Sequence, residues 1–328
     1  MSGKFLSCDW GTSNFRLRLV DTVTLTVLAE EKSDQGIART FALWQETGLN
    51  GMNSRVNFYL SVIQEHLVKL EKRTGNLGNV PVVVSGMASS TIGIMSLPYQ
   101  ELPFSVNGAG IHTHLILPSD SFRHQVLLIS GISSHDDVMR GEETQLIGCI
   151  AEENETSGDG IYLFPGTHSK HIEVKAGKVI DFKTYMTGEF FDLLANHSIL
   201  QTSIAKSESL DNNPIPEGFK QGVLAAKKNN LLHAAFQVRT NELFQKLSSE
   251  GNYAYLSGLL IGSELKDLPE TDNFKIFLFS GSNLKSLYET ALQVLGLSER
   301  VHTFPGKWVD EAVIRGQFKI LKQHSNQS

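Results

Sequence analysis

Two short stretches, roughly half a chain apart, repeat the same pattern of apolar strand, polar turn and returning strand. Residues 5–8 form an apolar run that ends in the turn residues 9–14, and residues 15–20 then alternate with period two. Residues 161–164 form the second apolar run, which ends in a turn at 165–170 and continues as strand. Because both turns contain Gly-Thr, we interpret the chain as a duplication of one α/β unit. Coincidence is the alternative, since Gly-Thr is common between strands.

The remainder of the chain alternates between helical and strand periodicity, which is typical of α/β proteins. Apolar residues recur at helical spacing over 54–73, and β-branched runs follow at 80–85 and 126–130. Residues 97–118 are rich in Pro, Gly and His and look irregular. In the second half we predict helices at 188–197, 231–247, 253–265 and 308–323, and a strand at 274–279 that runs into another helix.

The length of 328 residues favours two domains over one. We place the border between residues 135 and 136, which gives an N-terminal domain over 1–135 and a C-terminal domain over 136–328. The hydrophobic share of 41% and the charged share of 20% are ordinary for a globular protein and leave enough apolar surface for a sizeable core.

Charge and motif content argue against several classes of protein. A formal net charge of -6 does not suit binding to nucleic acid or to an anionic membrane. No window reaches the ~18 apolar residues of a membrane span, and we expect a cytoplasmic protein. The two cysteines, Cys8 and Cys149, are too few for a disulfide framework. The chain has no GxxxxGK[ST], GxGxxG, HExxH or paired CxxC motif, which disfavours P-loop NTPases, Rossmann dehydrogenases and zinc hydrolases.

The turn after the first strand places an acid beside backbone and hydroxyl donors. Asp9 precedes Gly11, Thr12, Ser13 and Asn14. Glycine permits close approach of the backbone to an anion, and consecutive N–H groups can bind phosphate. A neighbouring carboxylate can hold Mg²⁺ through water. The alternative is an Asx-type turn that binds no ligand.

Two later turns offer related chemistry. Residues 165–170 could form a second phosphate-binding turn. The alternative is a tight hairpin with a solvated lysine. Gly281 and Ser282 lie between a strand and a helix, where a helix N-terminus suits part of a nucleotide. Ordinary capping of that helix is the alternative.

Glu142 and Glu143 open a predicted helix directly after Gly141. Acids favour a helix N-terminus because of the macrodipole, which is worth ~0.3–1 kcal/mol each. They can also supply the general base that a sugar hydroxyl needs when it attacks a γ-phosphate. With phosphate-type turns on both sides in the sequence, we favour the catalytic interpretation.

These motifs together resemble the actin-like ATPase superfamily, and more narrowly the 2-dehydro-3-deoxygalactonokinase family. The matching segments occur in the order DWGTSNFR, SGM, VMRGEETQLIG, PGTHSK, MTGE, NHSIL and LSGLLIGSE. The resemblance implies two duplicated actin-like ATPase (ribonuclease H-like) domains with a nucleotide cleft between them. It also implies transfer of the γ-phosphoryl group of ATP to the 6-hydroxyl of 2-dehydro-3-deoxy-D-galactonate, a step of galactonate degradation, with ATP and Mg²⁺ as cofactors.

The resemblance also suggests roles for individual residues. Asp9 would organise Mg²⁺, and Glu142 takes the place of the catalytic acid in the superfamily's G-D-Q-Q segment, with Glu143 still in contention. The residues expected to bind nucleotide phosphates or to border the adenosine are Asp9, Gly11, Thr12, Ser13, Asn14, Gly166, Thr167, His168, Lys170, Gly281 and Ser282. Lys170 could serve the substrate instead.

The sugar acid carries a carboxylate and a keto group, so its site needs cationic and donor groups. The candidates are Arg16, Arg140, Thr187, Glu189 and either His112 or His114. The alternative for Arg16 is that it shares a solvent-exposed strand face with Arg18. The alternative for Thr187 and Glu189 is that they only form the first turn of a helix.

Two rival functions remain at this point. One is a kinase of the same fold that acts on another small sugar acid. The other is a nucleotide-binding regulator without phosphoryl transfer, since the fold alone does not fix function. The expected partners are a small-molecule sugar acid and ATP, with no nucleic acid and no membrane, and the oligomeric state is open.

Overall fold

The computed structural model describes residues 3–150, 158–206, 215–268, 274–304 and 306–327. The chain divides into two compact units. The first unit comprises Met1–Gly158, Lys175–Asp181 and Trp308–Ser328, and the second unit comprises Asp159–Val174 and Phe182–Lys307. The border predicted between residues 135 and 136 falls inside the first unit, whose opening segment runs to Gly158.

The opening segment of the first unit alternates strands and helices. Its elements are β1 (Lys4–Trp10), β2 (Phe15–Asp21), β3 (Val27–Ser33), α1 (Ile37–Glu46), α2 (Met52–Thr74), β4 (Val82–Gly86), β5 (Gln100–Glu101), β6 (Phe104–Ser105), β7 (Thr113–Ile116), β8 (Val126–Ile129), β9 (Ile132–Ser133), β10 (Val138–Met139) and α3 (Glu142–Cys149).

The rest of the chain begins with three strands and continues mainly as helices. Its elements are β11 (Gly160–Phe164), β12 (Ser169–Lys175), β13 (Lys178–Tyr185), α4 (Thr187–His197), α5 (Glu217–Lys228), α6 (Leu231–Leu243), α7 (Ser249–Leu265), β14 (Lys275–Leu278), α8 (Ser282–Val294), β15 (Val301–Thr303) and α9 (Gly306–Gln327). No helix in the described parts of the chain is long and apolar enough to cross a membrane.

The main sheet of the first unit has the order β3-β2-β1-β4-β8-β7. Strands β1, β2 and β3 form an antiparallel meander, whereas β1, β4 and β8 run parallel. Because side chains alternate along a strand, Leu6, Cys8 and Trp10 of β1 enter one core with Ile63 and Leu67 of α2. Asp9 lies on the opposite face of β1.

Five consecutive strands of a second six-stranded sheet repeat this topology, in the order β15-β14-β11-β12-β13. The sixth strand, β6, pairs antiparallel with residues 178–179 of β13, which belong, like β6, to the first unit. Strand β11 pairs antiparallel with β12 and parallel with β14, and β14 pairs parallel with β15. In each unit a Gly-Thr turn joins the first strand to the second, at Gly11-Thr12 and at Gly166-Thr167. The duplicated α/β fold predicted from the sequence is therefore confirmed.

Helix α9 completes the first unit. The fully buried Gln317 donates through Nε2 to the Cys8 carbonyl at 2.8 Å and to Ser85 Oγ at 2.8 Å, which ties α9 to β1 and β4. Helices α9 and α3 touch through glycines, since a Cβ on Gly148 would lie 1.8 Å from the Ala312 carbonyl oxygen. This close crossing fixes the position of α3, whose first residue is Glu142.

The apolar patterns of the sequence predicted most of the longer elements and missed several others. Helix α2 and strands β1, β2, β4, β8 and β11 are confirmed, as are α4, α7, α9 and β14 within a few residues. Strand β3 and helices α1 and α5 were not predicted. Helix α6 ends at Leu243 rather than near residue 247, and the stretch 97–118 contains the short strands β5, β6 and β7.

Candidate active site

The turn between β1 and β2 is tight and presents polar side chains to solvent. The Gly11 N–H donates to the Asn14 carbonyl oxygen at 2.9 Å. Thr12, Ser13 and Asn14 are exposed, and Asp9 is half-buried at the end of β1. The turn can therefore offer backbone and hydroxyl donors to an anion beside a carboxylate.

The start of α1 holds this turn in place. The N–H groups of Ile37 and Ala38 donate to the carbonyl oxygens of Gly11 and Thr12 at 3.0 and 3.1 Å. A Cβ on Gly36 would lie 2.3 Å from the Thr12 carbonyl oxygen, so only glycine allows this approach. The unpredicted helix α1 is thus part of the site's scaffold.

Gly86 connects the Asp9 carboxylate to the start of α3. It has a φ of 89°, and a Cβ there would lie 2.8 Å from the Trp10 carbonyl oxygen and 3.6 Å from Asp9 Oδ1. A Cβ on Gly141 would in turn lie 3.4 Å from the Gly86 Cα. Gly86 therefore contacts both the Asp9 carboxylate and the glycine that directly precedes Glu142. In the sequence, Gly86 was noted only as part of the SGM segment. Its position directly after a buried β-branched strand was the signal that could have identified it.

The two adjacent acids of α3 have different surroundings. Glu143 is 1% exposed, and its Oε2 accepts the Gly141 N–H at 2.6 Å while its Oε1 accepts the Thr144 hydroxyl at 2.9 Å. Burial and the neighbouring Glu142 charge raise the pKa of Glu143 to about 8, although both hydrogen bonds favour the ionised form. Glu142 is half-buried. The arrangement fits Glu143 as a group that shapes the helix start, and a catalytic role for Glu142 stays a prediction.

Arg140 is bound by groups of its own unit. Its Nη1 donates to Ser89 Oγ at 2.7 Å, its Nη2 donates to the Leu97 carbonyl at 3.0 Å, and its guanidinium carbon lies 4.0 Å from the Tyr99 ring centroid. The planar guanidinium thereby joins three points of the loop that follows β4. Contact with a sugar acid stays a prediction for this residue.

Arg16 lies opposite Asp9 in the ladder between β1 and β2. Its Nε is 3.6 Å from Glu30 Oε1, and Nε of the buried Arg18 is 3.5 Å from the same oxygen. One alternative was that the strand face with Arg16 and Arg18 is exposed to solvent. Arg16 is 32% exposed and Arg18 is 3% exposed, so neither side chain is fully solvated. His112 and His114 are both exposed, and Nδ1 of His112 lies 3.5 Å from the Pro98 carbonyl oxygen.

In the second unit, the Gly166-Thr167 turn lies directly against the start of α4. The N–H groups of Gly188 and Glu189 both donate to the Thr167 carbonyl oxygen at 3.1 Å. A Cβ on Gly188 would lie 2.8 Å from the Gly166 carbonyl oxygen. The Gly166 N–H faces Ser169 Oγ at 3.3 Å. Thr187 and Glu189, predicted to bind substrate, therefore share one location with the predicted phosphate turn.

His168 and Lys170 point to different surroundings. His168 Nε2 pairs with Glu189 Oε2 at the surface. Lys170 is buried, and its Nζ donates to the His168 carbonyl at 3.4 Å. A phosphate role for either side chain stays a prediction.

A cavity of about 540 Å³ opens beside this turn, within the size range of small-ligand sites. Its lining combines the turn and the start of α4 with apolar and aromatic side chains. Lining residues include Thr167, Gly188, Phe191, Lys206, Leu284 and Tyr288. Gly281 is exposed and immediately precedes α8, which begins at Ser282 and contributes Leu284 and Tyr288.

The predicted residues thus form one set in each unit. Asp9, the Gly11–Asn14 turn, Arg16, Arg140 and both glutamates belong to the first unit, and the residues from Gly166 to Ser282 belong to the second. The described part of the chain holds no group of three or more His, Cys, Asp or Glu side chains suited to a metal ion. Asp9 still fits Mg²⁺, which is commonly held by one or two carboxylates together with waters and substrate phosphates.

Comparison with known proteins agrees with the fold and with the motifs. The family model described as 2-keto-3-deoxy-galactonokinase matches residues 9–320. A Rhizobium meliloti (strain 1021) protein named Probable 2-dehydro-3-deoxygalactonokinase DgoK1 is 30% identical over 325 residues, covering 96% of this chain and 95% of that protein. The 2-dehydro-3-deoxygalactonokinase of Escherichia coli (strain K12) is 30% identical over 302 residues, covering 90% and 91%.

A solved crystal structure shares the fold over almost the full length. It is a Sinorhizobium meliloti protein, provisionally described as a 2-dehydro-3-deoxygalactonokinase, with a TM-score of 0.80, 28% identity and coverage of 97% of this chain and 96% of that one. The chain therefore belongs to the 2-keto-3-deoxy-galactonokinase family.

Proposed function

We propose that this protein transfers the γ-phosphoryl group of ATP to the 6-hydroxyl of 2-dehydro-3-deoxy-D-galactonate. The observation that carries the proposal is the arrangement at the start of α3. A half-buried Glu142 follows Gly141, whose backbone approaches Gly86 beside the Asp9 carboxylate, and Glu142 is more exposed than its buried neighbour Glu143. Family membership supports the choice of reaction and of substrate class.

In the proposed step, the oxygen of the 6-hydroxyl forms a bond to the γ-phosphorus. The bond between the γ-phosphorus and the bridging oxygen breaks, and ADP leaves. Glu142 accepts the hydroxyl proton, which is the usual contribution of a carboxylate in such kinases. Half-burial suits this task, because a base must contact the substrate without being sealed in the core.

We propose nucleotide contacts for each unit separately. We assign the β- and γ-phosphates to Gly11, Thr12, Ser13 and Asn14, and Asp9 would hold Mg²⁺ through water. When bound, Mg²⁺ neutralises charge on the phosphate oxygens. For the turn at Gly166, Thr167, His168 and Lys170 we propose a further phosphate contact. Gly281 and Ser282 would border the adenosine, since α8 supplies apolar walls to the cavity of the second unit.

For the sugar acid we propose Arg16 as the partner of the carboxylate, because it lies beside Asp9 and is partly exposed. Arg140 would shape the site through its contacts with Ser89 and Leu97. Thr187 and Glu189 remain candidate substrate contacts. Cys8 and Cys149 are both free and buried, which supports the predicted reducing, cytoplasmic compartment.

The test is ADP formation from ATP and Mg²⁺ with a panel of acceptors. The panel contains 2-dehydro-3-deoxygalactonate, its gluconate epimer, galactonate, glycerol and a reaction without sugar. We expect turnover selective for the first compound. Preference for another acid would keep the kinase but change the substrate, and nucleotide binding without acceptor-dependent turnover would support a regulator instead.

A further inference from the structure

A buried carboxylate lies beneath the Gly166-Thr167 turn, and the proposed reaction does not use it. Glu264, near the end of α7, is 3% exposed. Its Oε1 is 2.9 Å from His171 Nε2, and its Oε2 accepts the Tyr288 hydroxyl at 2.7 Å together with the Thr187 hydroxyl. Burying a charge is costly unless hydrogen bonds compensate it, so three converging partners indicate that Glu264 is held there as an acceptor.

The acceptor role of Glu264 sets the direction of every hydrogen bond around it. Tyr288 gives its hydroxyl hydrogen to Glu264, so its oxygen can only accept from Ser169 Oγ, which lies 3.1 Å away. Ser169 Oγ is then left to accept the Gly166 N–H at 3.3 Å. Burial and the Glu264 charge hold the pKa of Tyr288 well above its usual value, which keeps the phenol protonated.

The chain of hydrogen bonds ends on two elements of the candidate nucleotide cavity. One end is Gly166 in the turn, and the other is Thr187 at the first position of α4, and both line the cavity. The hydroxyl of Tyr288 itself is buried, since the residue is 1% exposed. The network therefore reaches the cavity through the backbone and side chains that it orients.

We propose that Glu264, acting through Tyr288, Ser169 and Thr187, is the positioning residue of the nucleotide site in the second unit. It fixes the Gly166-Thr167 turn and the start of α4 in the geometry that receives the nucleotide. This inference rests on the proposed function, because it assumes that the turn binds a nucleotide. Four separate elements, namely β12, α4, α7 and α8, meet at this one carboxylate, so the loss of Glu264 removes a contact from each of them.

The test uses Tyr288→Phe, with Tyr255→Phe as the matched control. Tyr255 is also a buried tyrosine of the second unit, and its hydroxyl donates to Gln237 Oε1 at 2.7 Å, away from the turn. The readouts are the MgADP dissociation constant by isothermal titration without sugar acid, the KM for ATP, the KM for the sugar acid and the melting temperature. Both variants remove the hydrogen bonds of a buried tyrosine hydroxyl, so both should melt somewhat lower.

For Tyr288→Phe we expect the MgADP dissociation constant and the KM for ATP to rise roughly threefold to tenfold, the size of one lost hydrogen bond. The KM for the sugar acid should change less than about twofold. Glu264→Gln should show the same pattern more strongly. If both variants bind MgADP as the wild type does, although their melting temperatures fall as in Tyr255→Phe, the network is only structural and the proposal is overturned.

The binding readout separates this proposal from the proposed reaction. Wild-type protein that binds MgADP but phosphorylates no acceptor would end the kinase proposal, while the comparison of Tyr288→Phe with Tyr255→Phe would still decide the role of Glu264. Wild-type protein that binds no MgADP would overturn both. Should Glu264→Gln fail to fold, Tyr288→Phe alone carries the test.

Discussion

The backbone N–H of Gly141 donates a hydrogen bond of 2.6 Å to Oε2 of Glu143, so the second of two adjacent acids folds back onto the start of its own helix. The Thr144 hydroxyl occupies the other oxygen at 2.9 Å. The sequence could not rank Glu142 against Glu143 as the base. Their burial favours Glu142 as our proposed base, because Glu143 is 1% exposed whereas Glu142 is half-buried and can be reached by a substrate.

Replacing Glu142 with Gln should remove the base and leave binding intact. We expect kcat to fall by about 10²–10⁴-fold, the usual contribution of a general base, with little change in MgADP affinity. The matched control is Glu143→Gln, which keeps a buried acceptor for the Gly141 N–H and should retain activity within about tenfold. Steady-state kinetics of both variants provides the measurement, and a larger loss in the Glu143 variant would reverse the assignment.

The raised pKa of Glu143 should appear in the stability of the protein. Its pKa is about 8 in the folded chain, against an ordinary value of 4.5. Between these values the unfolded chain is ionised while the folded one holds a proton. The free energy of unfolding therefore falls as pH rises, by at most about 1.4 kcal/mol per pH unit.

Glu143→Gln cannot titrate, so it removes this slope. Relative to the wild type, we expect the variant to gain about 2 kcal/mol between about pH 5.5 and about pH 7.5. Urea denaturation of both proteins at both pH values gives the difference, in which other titrating groups largely cancel. A difference that stays constant with pH would contradict the buried, protonated state of Glu143.

Gly86→Ala should perturb the candidate site of the first unit by more than the strain of a positive φ alone would cause. Gly75 is the matched control, because it has a φ of 80° against 89° for Gly86, but a Cβ added there would meet nothing within 4 Å. Gly75→Ala should cost about 1–3 kcal/mol of stability, because its φ of 80° and ψ of -179° suit only glycine. Gly86→Ala should cost a further 1–3 kcal/mol, roughly, from contact with the Trp10 carbonyl, and it should also lower kcat by displacing Asp9. Equal effects of both substitutions on kcat would refute a link between Gly86 and the site.

Gly188→Ala should weaken nucleotide binding while favouring the helix. Alanine stabilises a helix by about 1 kcal/mol relative to glycine. At position 188, however, the added methyl would lie 2.8 Å from the Gly166 carbonyl oxygen and must push the turn away. Gly251→Ala, in the first turn of α7, is the control, with its nearest contact at 3.3 Å from Ser248 Oγ. We expect a higher MgADP dissociation constant only for Gly188→Ala, measured by titration calorimetry.

The elements that the sequence revealed are those whose own periodicity decides their structure. Helix α2 buries one regular face and strand β1 is a short apolar run buried on both faces, so their patterns were sufficient. Strand β3 has few β-branched residues and becomes a strand through its pairing with β2. Helix α5 contains glycines that lower helix propensity, and Gly222 is required there because its Cβ would lie 2.1 Å from the Tyr255 carbonyl oxygen in α7. Tertiary packing overrides propensity in both cases.

The residues of the candidate site also fall into two groups, those that the sequence revealed and those that only the structure revealed. Asp9, Glu142 and the Gly-Thr turns stood out because their residues are adjacent in sequence. Glu264 did not, because its partners His171, Thr187 and Tyr288 lie 93, 77 and 24 positions away. No local pattern records such a meeting of distant side chains, so only the folded chain reveals the network.

The return of the chain to its first unit has a consequence for biosynthesis. Gln317 of α9 supplies the buried bonds to Cys8 and Ser85, and Phe318 stacks on Phe5 with ring centroids 5.6 Å apart. A ribosome must therefore make the whole second unit before it delivers the helix that closes the first. We expect the first unit to complete its folding last, because its early strands lack their contacts with α9 until that helix has been synthesised. These strands are therefore the segment that we expect a chaperone to bind during synthesis.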